Sequence, residues 1–238
     1  MNNNYFRDYL RKTGDATLIK MDHYLDVYPE IVGHLQGKPV SFLEIGVYKG
    51  GSLGLWKGYF GDGSKLVFLD IDPACKALEI DGTIVEIGDQ EDRAFLERIG
   101  SEYGPFDLIV DDGGHKMSQQ RTSFQVLFQF LKPRGLYVVE DTHTSYWPGF
   151  GGGFRAKNSF IEVMKDLIDR MHSWYTDQDD IFPLHVAAKI IRSVRFYDSM
   201  VVVERKHSPE PPVSIASRNG QTSRSRKILE ARNRKSIF

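Results

Sequence analysis

Phe106-Asp107-Leu108-Ile109-Val110-Asp111-Asp112-Gly113-Gly114-His115 and Tyr137-Val138-Val139-Glu140-Asp141-Thr142-His143 stand one helix length apart in this chain. Each is an apolar run that ends abruptly in acids and a histidine. The apolar parts read as buried strands, and the segment between them, about 118–131, reads as a helix. Strand, turn, helix and strand in that order make the unit from which parallel sheets are built. In such sheets ligands bind outside the carboxyl ends of the strands. The unit therefore brings Asp111, Asp112, Glu140 and Asp141, with His115 and His143, to one edge.

Working outward, the same alternation continues. Residues 40–45 form a first strand, running into Gly46-Val47-Tyr48-Lys49-Gly50-Gly51-Ser52 and a helix over 53–59. Glycines at a strand-to-helix turn let backbone approach a ligand, and the helix start offers free N–H groups. The glycines at 46, 50 and 51 do not follow the dinucleotide spacing; the pattern is Glu-x-Gly-x-x-x-Gly, with Glu44 on the strand itself. A second strand, 65–69, ends in Asp70, placed to accept hydrogen bonds from ribose hydroxyls, while Asp72 before Pro73 suits a helix cap. A third strand, 83–87, ends in Gly88-Asp89-Gln90, and a helix follows over 92–99. Beyond the opening stretches come a glycine-rich loop at 148–153, read as a linker or a lid with Tyr146 and Trp147 as apolar walls, a helix over 160–175, and a hairpin of 194–197 with 200–203. Ahead of the first strand, apolar spacing from Tyr24 to Leu35 predicts a helix with Pro29 in its first turn. That helix either packs on the sheet or brings His23 and Tyr24 over the active edge.

Composition bounds what this fold can serve. With 238 residues and 41% hydrophobic content, one α/β domain with additions, or at most two small domains, is expected. The net charge of −1 gives no reason to expect a nucleic-acid partner. It hides a basic end: residues 205–238 hold nine Lys/Arg against two Asp/Glu. That tail is rich in Pro, Ser and Asn, and is expected to be mobile or to pack on another subunit. The single Cys75 fits a reducing compartment and reads as packing. No run of about 18 apolar residues suggests a membrane span, and the polar start lacks a signal peptide's apolar stretch, so a cytoplasmic protein is expected. Three units follow: a helical cap segment over 1–38, the sheet domain over 39–206, and the tail over 207–238.

With these motifs in place, the chain resembles the class I S-adenosylmethionine (SAM)-dependent methyltransferases, and among them the metal-dependent sugar O-methyltransferases of macrolide pathways. The carriers are Phe42-Leu43-Glu44-Ile45-Gly46-Val47-Tyr48-Lys49-Gly50-Gly51-Ser52 and the two acidic stretches. The resemblance implies a Rossmann-like α/β fold: a mostly parallel seven-stranded sheet, helices on both faces and a C-terminal antiparallel hairpin. It implies that Glu44, Gly46, Tyr48, Ser52, Asp70, Asp89, Gln90 and Asp111 bind SAM. Asp112, Glu140 and Asp141 would hold a divalent cation, Mg²⁺ first among candidates, and His115 would be the general base. His23, Tyr24, His143, Tyr146 and Trp147 are the substrate-side candidates. A small glycosylated acceptor and a homo-oligomer are implied, with neither nucleic acid nor membrane as partner.

The chemistry suits these groups. A hard cation takes oxygen ligands and leaves positions open for a diol. Binding there lowers a hydroxyl's pKa, and a positioned imidazole takes its proton. Three other readings stay open: a catechol-like diol as acceptor, a nicotinamide-dependent Rossmann oxidoreductase, and a non-catalytic cofactor-binding scaffold.

Overall fold

A computed structural model describes residues 4–12, 14 and 16–225. In chain order its elements are helices α1 (Tyr5–Leu10) and α2 (Tyr24–Val32), strand β1 (Ser41–Ile45), α3 (Gly51–Tyr59), β2 (Lys65–Asp70), β3 (Thr83–Ile87), α4 (Arg93–Tyr103), β4 (Phe106–Asp111), α5 (Met117–Leu127) and β5 (Leu131–Val139). Then follow α6 (Phe160–Met171), α7 (Val186–Ile190), β6 (Ile191–Tyr197), β7 (Met200–Arg205), β8 (Ser214–Arg218) and β9 (Gln221–Ser225). The main sheet has the order β3-β2-β1-β4-β5-β7-β6. β1 to β5 run parallel, and β7 lies antiparallel between β5 and β6. This is the expected sheet with its terminal hairpin, turned at Asp198-Ser199 with Ser199 at φ 59°.

Register lines up the functional edge. Leu69 pairs with Ile45, Ile45 with Asp111, and Asp111 with Val139. The next residue on each strand, Asp70, Gly46, Asp112 and Glu140, therefore stands in one row. The chain order reverses between β1 and β4, the switch point where a crevice opens in such sheets.

The two faces of the sheet fill two apolar clusters. One packs Phe42, Phe68, Leu108, Val110 and Val138 against Tyr24, Tyr28 and Trp56 of α2 and α3. The other packs Leu43, Ile109, Tyr137 and Val139 against Leu96, Phe124, Phe160 and Met164 of α4, α5 and α6. Side chains alternate faces along a strand. That alternation sends Glu44, Asp112 and Glu140 toward α2 and α3, and Asp111 toward α5.

The N-terminal helices belong to this core. Tyr24 and Tyr28 are fully buried, so α2 packs on the sheet and does not sit above it as a lid. Pro29 lies inside α2, not in its first turn. Lacking an N–H, Pro29 leaves the Leu25 carbonyl without its helical partner. Asn4 Nδ2 donates to that carbonyl at 2.8 Å, while Asn4 Oδ1 caps α1 by accepting from Phe6 N and Arg7 N. Asn4→Ala is expected to lower stability by about 1–2 kcal/mol in urea denaturation, because one side chain serves both helices.

The tail differs from its expectation over 214–225, where β8 and β9 form a two-stranded antiparallel hairpin, almost wholly exposed. The rest of the mobile-tail expectation, 226–238, lies outside the described residues. No helix among the described residues is long and apolar enough to cross a membrane.

Candidate active site

Two adjoining cavities open at the β1–β4 switch point. The first is lined by Gly46, Tyr48, Asp70, Ile71, Asp72, Gly88, Asp89, Gln90, Asp112, Gly113 and Gly114, among others. The second shares Gly46, Tyr48, Asp112 and Gly113 and adds Leu18, Ile19, Ser52, His115 and Asp141.

The floor of the first cavity needs glycine. Gly46 has φ 104°, and a Cβ there would lie 2.2 Å from the Asp112 carbonyl oxygen. Asp70 fixes the turn above it: its Oδ2 accepts from Val47 N at 2.9 Å and Tyr48 N at 3.0 Å, and its Oδ1 from Asp72 N at 2.9 Å. Burial works to raise the Asp70 pKa, but the amides of Asp72, Tyr48 and Val47 outweigh it and hold the carboxylate below its usual range.

Gln90 closes the far wall. Its Oε1 accepts from Gly114 N at 2.9 Å and its Nε2 donates to Asp111 Oδ1 at 3.0 Å. Asp111 is fully buried, also accepts from the Ser123 hydroxyl, and does not line either cavity. Glu44 is likewise fully buried and away from both walls. Both were expected as ligand contacts. In the structure Asp111 braces Gln90, and Glu44 accepts from Trp56 Nε1 at 3.2 Å. Burial pushes the Glu44 carboxyl up to about 7.

The second cavity holds the acids. One oxygen each of Asp112 and Asp141 and a ring nitrogen of His115 lie within 4.8 Å of one another. His115 Nε2 is 3.6 Å from Asp141 Oδ2 and 4.0 Å from Asp112 Oδ1. His115 Nδ1 is buried without a hydrogen-bond partner. His115 and Asp141 both hold left-handed backbone, φ 56° and 53°, as does Tyr48 at 51°. Non-glycine residues there carry strain of order 1–3 kcal/mol each and gather at functional sites. The Thr144 hydroxyl lies 2.9 Å from both the His115 and Asp141 carbonyls, tying the two strained turns together.

Glu140, expected with Asp112 and Asp141 as a cation ligand, lies behind them. Its Oε1 accepts from Lys20 Nζ at 2.6 Å and from the Tyr28 hydroxyl. Lys20 Nζ also donates to Asp112 Oδ2 at 2.6 Å and stands 3.8 Å from Glu44 Oε1. Burial would strip the Lys20 proton, but Asp112, Glu140 and Glu44 outweigh it and keep the ammonium charged. Burial and Asp112 push the Glu140 pKa up, against Lys20. Sequence reading passed over Lys20; its one signal is a lone cation within Thr17-Leu18-Ile19-Lys20.

The substrate-side candidates divide. The Tyr24 hydroxyl donates within reach of Asp141 Oδ1 at 2.9 Å and accepts from Asp141 N at 3.0 Å, so it orients an acid from a buried position. His23 Nε2 lies 2.8 Å from the Asp198 carbonyl. His143 Nδ1 lies 2.5 Å from Ser199 Oγ, its ring edge-on to Trp147. Tyr146 and Trp147 are half exposed, and Tyr146 lines a separate cavity with His143, Ile161, Lys165 and Phe196.

Among solved structures, the methyltransferase MycE of the mycinamycin biosynthetic pathway, in complex with Mg and SAH, superposes with a TM-score of 0.78 at 30% identity, over 86% of this chain and 54% of MycE. The fold is that of a class I methyltransferase. No family model matches the chain. Curated relatives carry the same methyltransferase signal in sequence. Mycinamicin VI 2''-O-methyltransferase of Micromonospora griseorubida is 38% identical over 186 residues, 74% of this chain and 46% of the relative. L-olivosyl-oleandolide 3-O-methyltransferase of Streptomyces antibioticus is 40% identical over 158 residues, 61% of this chain and 40% of the relative. This chain is thus related to sugar O-methyltransferases of macrolide and polyketide pathways, and spans about half the length of the curated relatives it matches.

Proposed function

We propose that this chain is a SAM- and Mg²⁺-dependent O-methyltransferase that methylates a sugar hydroxyl of a glycosylated natural product. One observation carries the reading. The glycine-floored cavity and the Asp112/His115/Asp141 cluster share Asp112 and Gly113 at the β1–β4 switch point, so a donor and an acceptor would meet there.

The residues fit both groups. Gly46 lets the Asp112 backbone close in under both cavities, Asp70 and Gln90 line the first of them, and His115 Nδ1 is buried without a partner beside the acids. Asp112 and Asp141 supply oxygen donors of the kind a hard cation takes. Imidazole is a poorer ligand for such an ion, which leaves His115 for proton transfer. Bound SAM supplies an electrophilic methyl group, and the cation supplies charge that stabilises a developing alkoxide. His115 Nε2 accepts the hydroxyl proton, and the carboxylates 3.6 and 4.0 Å away stabilise the imidazolium that results. Thr144 and Tyr24 keep His115 and Asp141 in place meanwhile.

A glycosylated macrolide is the acceptor class favoured by the relatives, since one MycE structure holds mycinamycin VI. A homo-oligomer working in the cytoplasm completes the reading. Calorimetry separates it from the oxidoreductase alternative: heat is expected on titrating SAM and none on titrating NAD. Binding of NAD without SAM would overturn it.

A further inference from the structure

The turn between β6 and β7 carries a serine that the proposed chemistry leaves unused. The register that sets Val139 opposite Val201 continues past the strands and brings Ser199 opposite Asp141. Ser199 holds left-handed backbone at φ 59°. Its carbonyl oxygen accepts from Thr142 N at 3.0 Å, and the carbonyl of Asp198 before it lies 2.8 Å from His23 Nε2. The turn is thereby fixed on two sides, to the start of α2 and to the residue that follows Asp141.

The Ser199 hydroxyl stands between two side chains. His143 Nδ1 lies 2.5 Å from it and the Tyr24 hydroxyl 2.9 Å. The Tyr24 hydroxyl, on a fully buried side chain, is also 2.9 Å from Asp141 Oδ1, 2.8 Å from the Ser199 carbonyl and 3.0 Å from Asp141 N. The direction of these bonds follows from the proton count. A phenol has one proton to give and two lone pairs. The Asp141 N–H fills one lone pair, because a backbone amide only donates. The phenol proton has two claimants: a carboxylate, and a neutral carbonyl that already serves Thr142. Hydrogen bonds to an ionised acceptor are roughly twice as strong, so the proton goes to Asp141 Oδ1. The second lone pair is left for the Ser199 proton. Having given that proton, Ser199 meets His143 as an acceptor from Nδ1–H.

We propose that Ser199 is a positioning residue for Asp141. It joins His143 and Tyr24 into one directed chain of donors, from His143 Nδ1–H to Ser199 Oγ, from Ser199 to Tyr24, and from Tyr24 to Asp141 Oδ1. The chain holds that oxygen back and leaves Oδ2 facing His115. Each bond polarises the next, so the one that lands on the carboxylate is strengthened by those behind it. Asp141 holds φ 53°, a backbone that persists only where its surroundings fix it. Partners behind a metal ligand also govern how well it binds its ion. That last consequence rests on the cation reading above; the donor chain does not.

Nitrogen NMR of histidine-labelled full-length protein, without metal and at a pH where the ring is neutral, tests the chain directly. The His143 signals, assigned by their loss in His143→Gln, are expected to show the proton on Nδ1 and a bare Nε2. Ser199→Gly keeps the left-handed turn and removes only the hydroxyl; it is expected to move the proton toward Nε2. Mn²⁺ titration reads the effect on Asp141. Tyr24→Phe should weaken Mn²⁺ binding about tenfold, as loss of a partner behind a ligand does. Ser199→Gly should weaken it about threefold, the share of one neutral hydrogen bond. SAM affinity should stay unchanged in both. Because Ser199 acts through Tyr24, adding Ser199→Gly to Tyr24→Phe should cost nothing further. A wild-type His143 with its proton on Nε2 would overturn the proposal, and that measurement depends on no Ser199 or Tyr24 variant. So would an unmoved proton in Ser199→Gly, or additive losses in the double variant, the mark of a merely structural turn. Wild-type protein that binds SAM but no Mn²⁺ would instead sink the cation reading, while the His143 proton would still decide the chain.

Discussion

Alanine at position 115 is expected to lower methyl transfer by about a hundredfold or more while SAM affinity stays unchanged. The imidazole lies in the second cavity with Asp112 and Asp141, and it is absent from the lining of the first, where the donor is proposed to bind. Its loss therefore strikes proton removal and spares donor binding. His115 also holds φ 56°, so alanine adds backbone strain to the loss of a base. His115→Asn separates the two, because asparagine tolerates left-handed backbone and cannot take the proton. Both variants should fail in single-turnover assays while calorimetry still shows SAM binding. Full turnover in His115→Asn would remove the base from this site. If Mn²⁺ affinity fell in step with turnover, His115 would be a metal ligand.

Chelation is the second large effect. EDTA is expected to abolish methyl transfer and added Mg²⁺ to restore it. Asp112 and Asp141 face each other's charge across a partly exposed pocket, and the Lys20 ammonium is committed behind Asp112. A divalent ion relieves that repulsion, so it binds the folded state and should also raise the melting temperature. Saturation at a hundred times the dissociation constant is worth about 2.7 kcal/mol. Thermal melts with and without Mg²⁺ read this apart from catalysis. Full activity in chelator would end the metal mechanism.

The edge of the sheet was legible in the sequence because each strand announced itself by an apolar run and each run stopped at a glycine or an acid. β3 keeps its expected bounds, and the hairpin of β6 and β7 lies where its β-rich runs placed it, though longer. What could not be read was side-chain destination. Glu44 and Asp111 sit in the motifs, but both lie inside their strands, behind the row of Gly46 and Asp112, and are buried. Lys20 meets Asp112 and Glu140 across 92 and 120 residues, a pairing no local pattern encodes. Pro29 misled for a related reason: its unpaired carbonyl partner is rescued by Asn4, 21 residues from Leu25. β8 and β9 lacked any apolar alternation, being exposed on nearly all positions.

The four left-handed residues around the cavities, Tyr48, His115, Asp141 and Ser199, also set a rule for variation. Glycine, asparagine and aspartate enter such backbone at little cost, whereas valine, isoleucine and threonine are strongly disfavoured. A library that randomises the acceptor pocket will therefore lose its β-branched members at these four positions before any of them meets a substrate. Diversity is better placed at Tyr146, Trp147 and Phe196, which are exposed and free of that restriction.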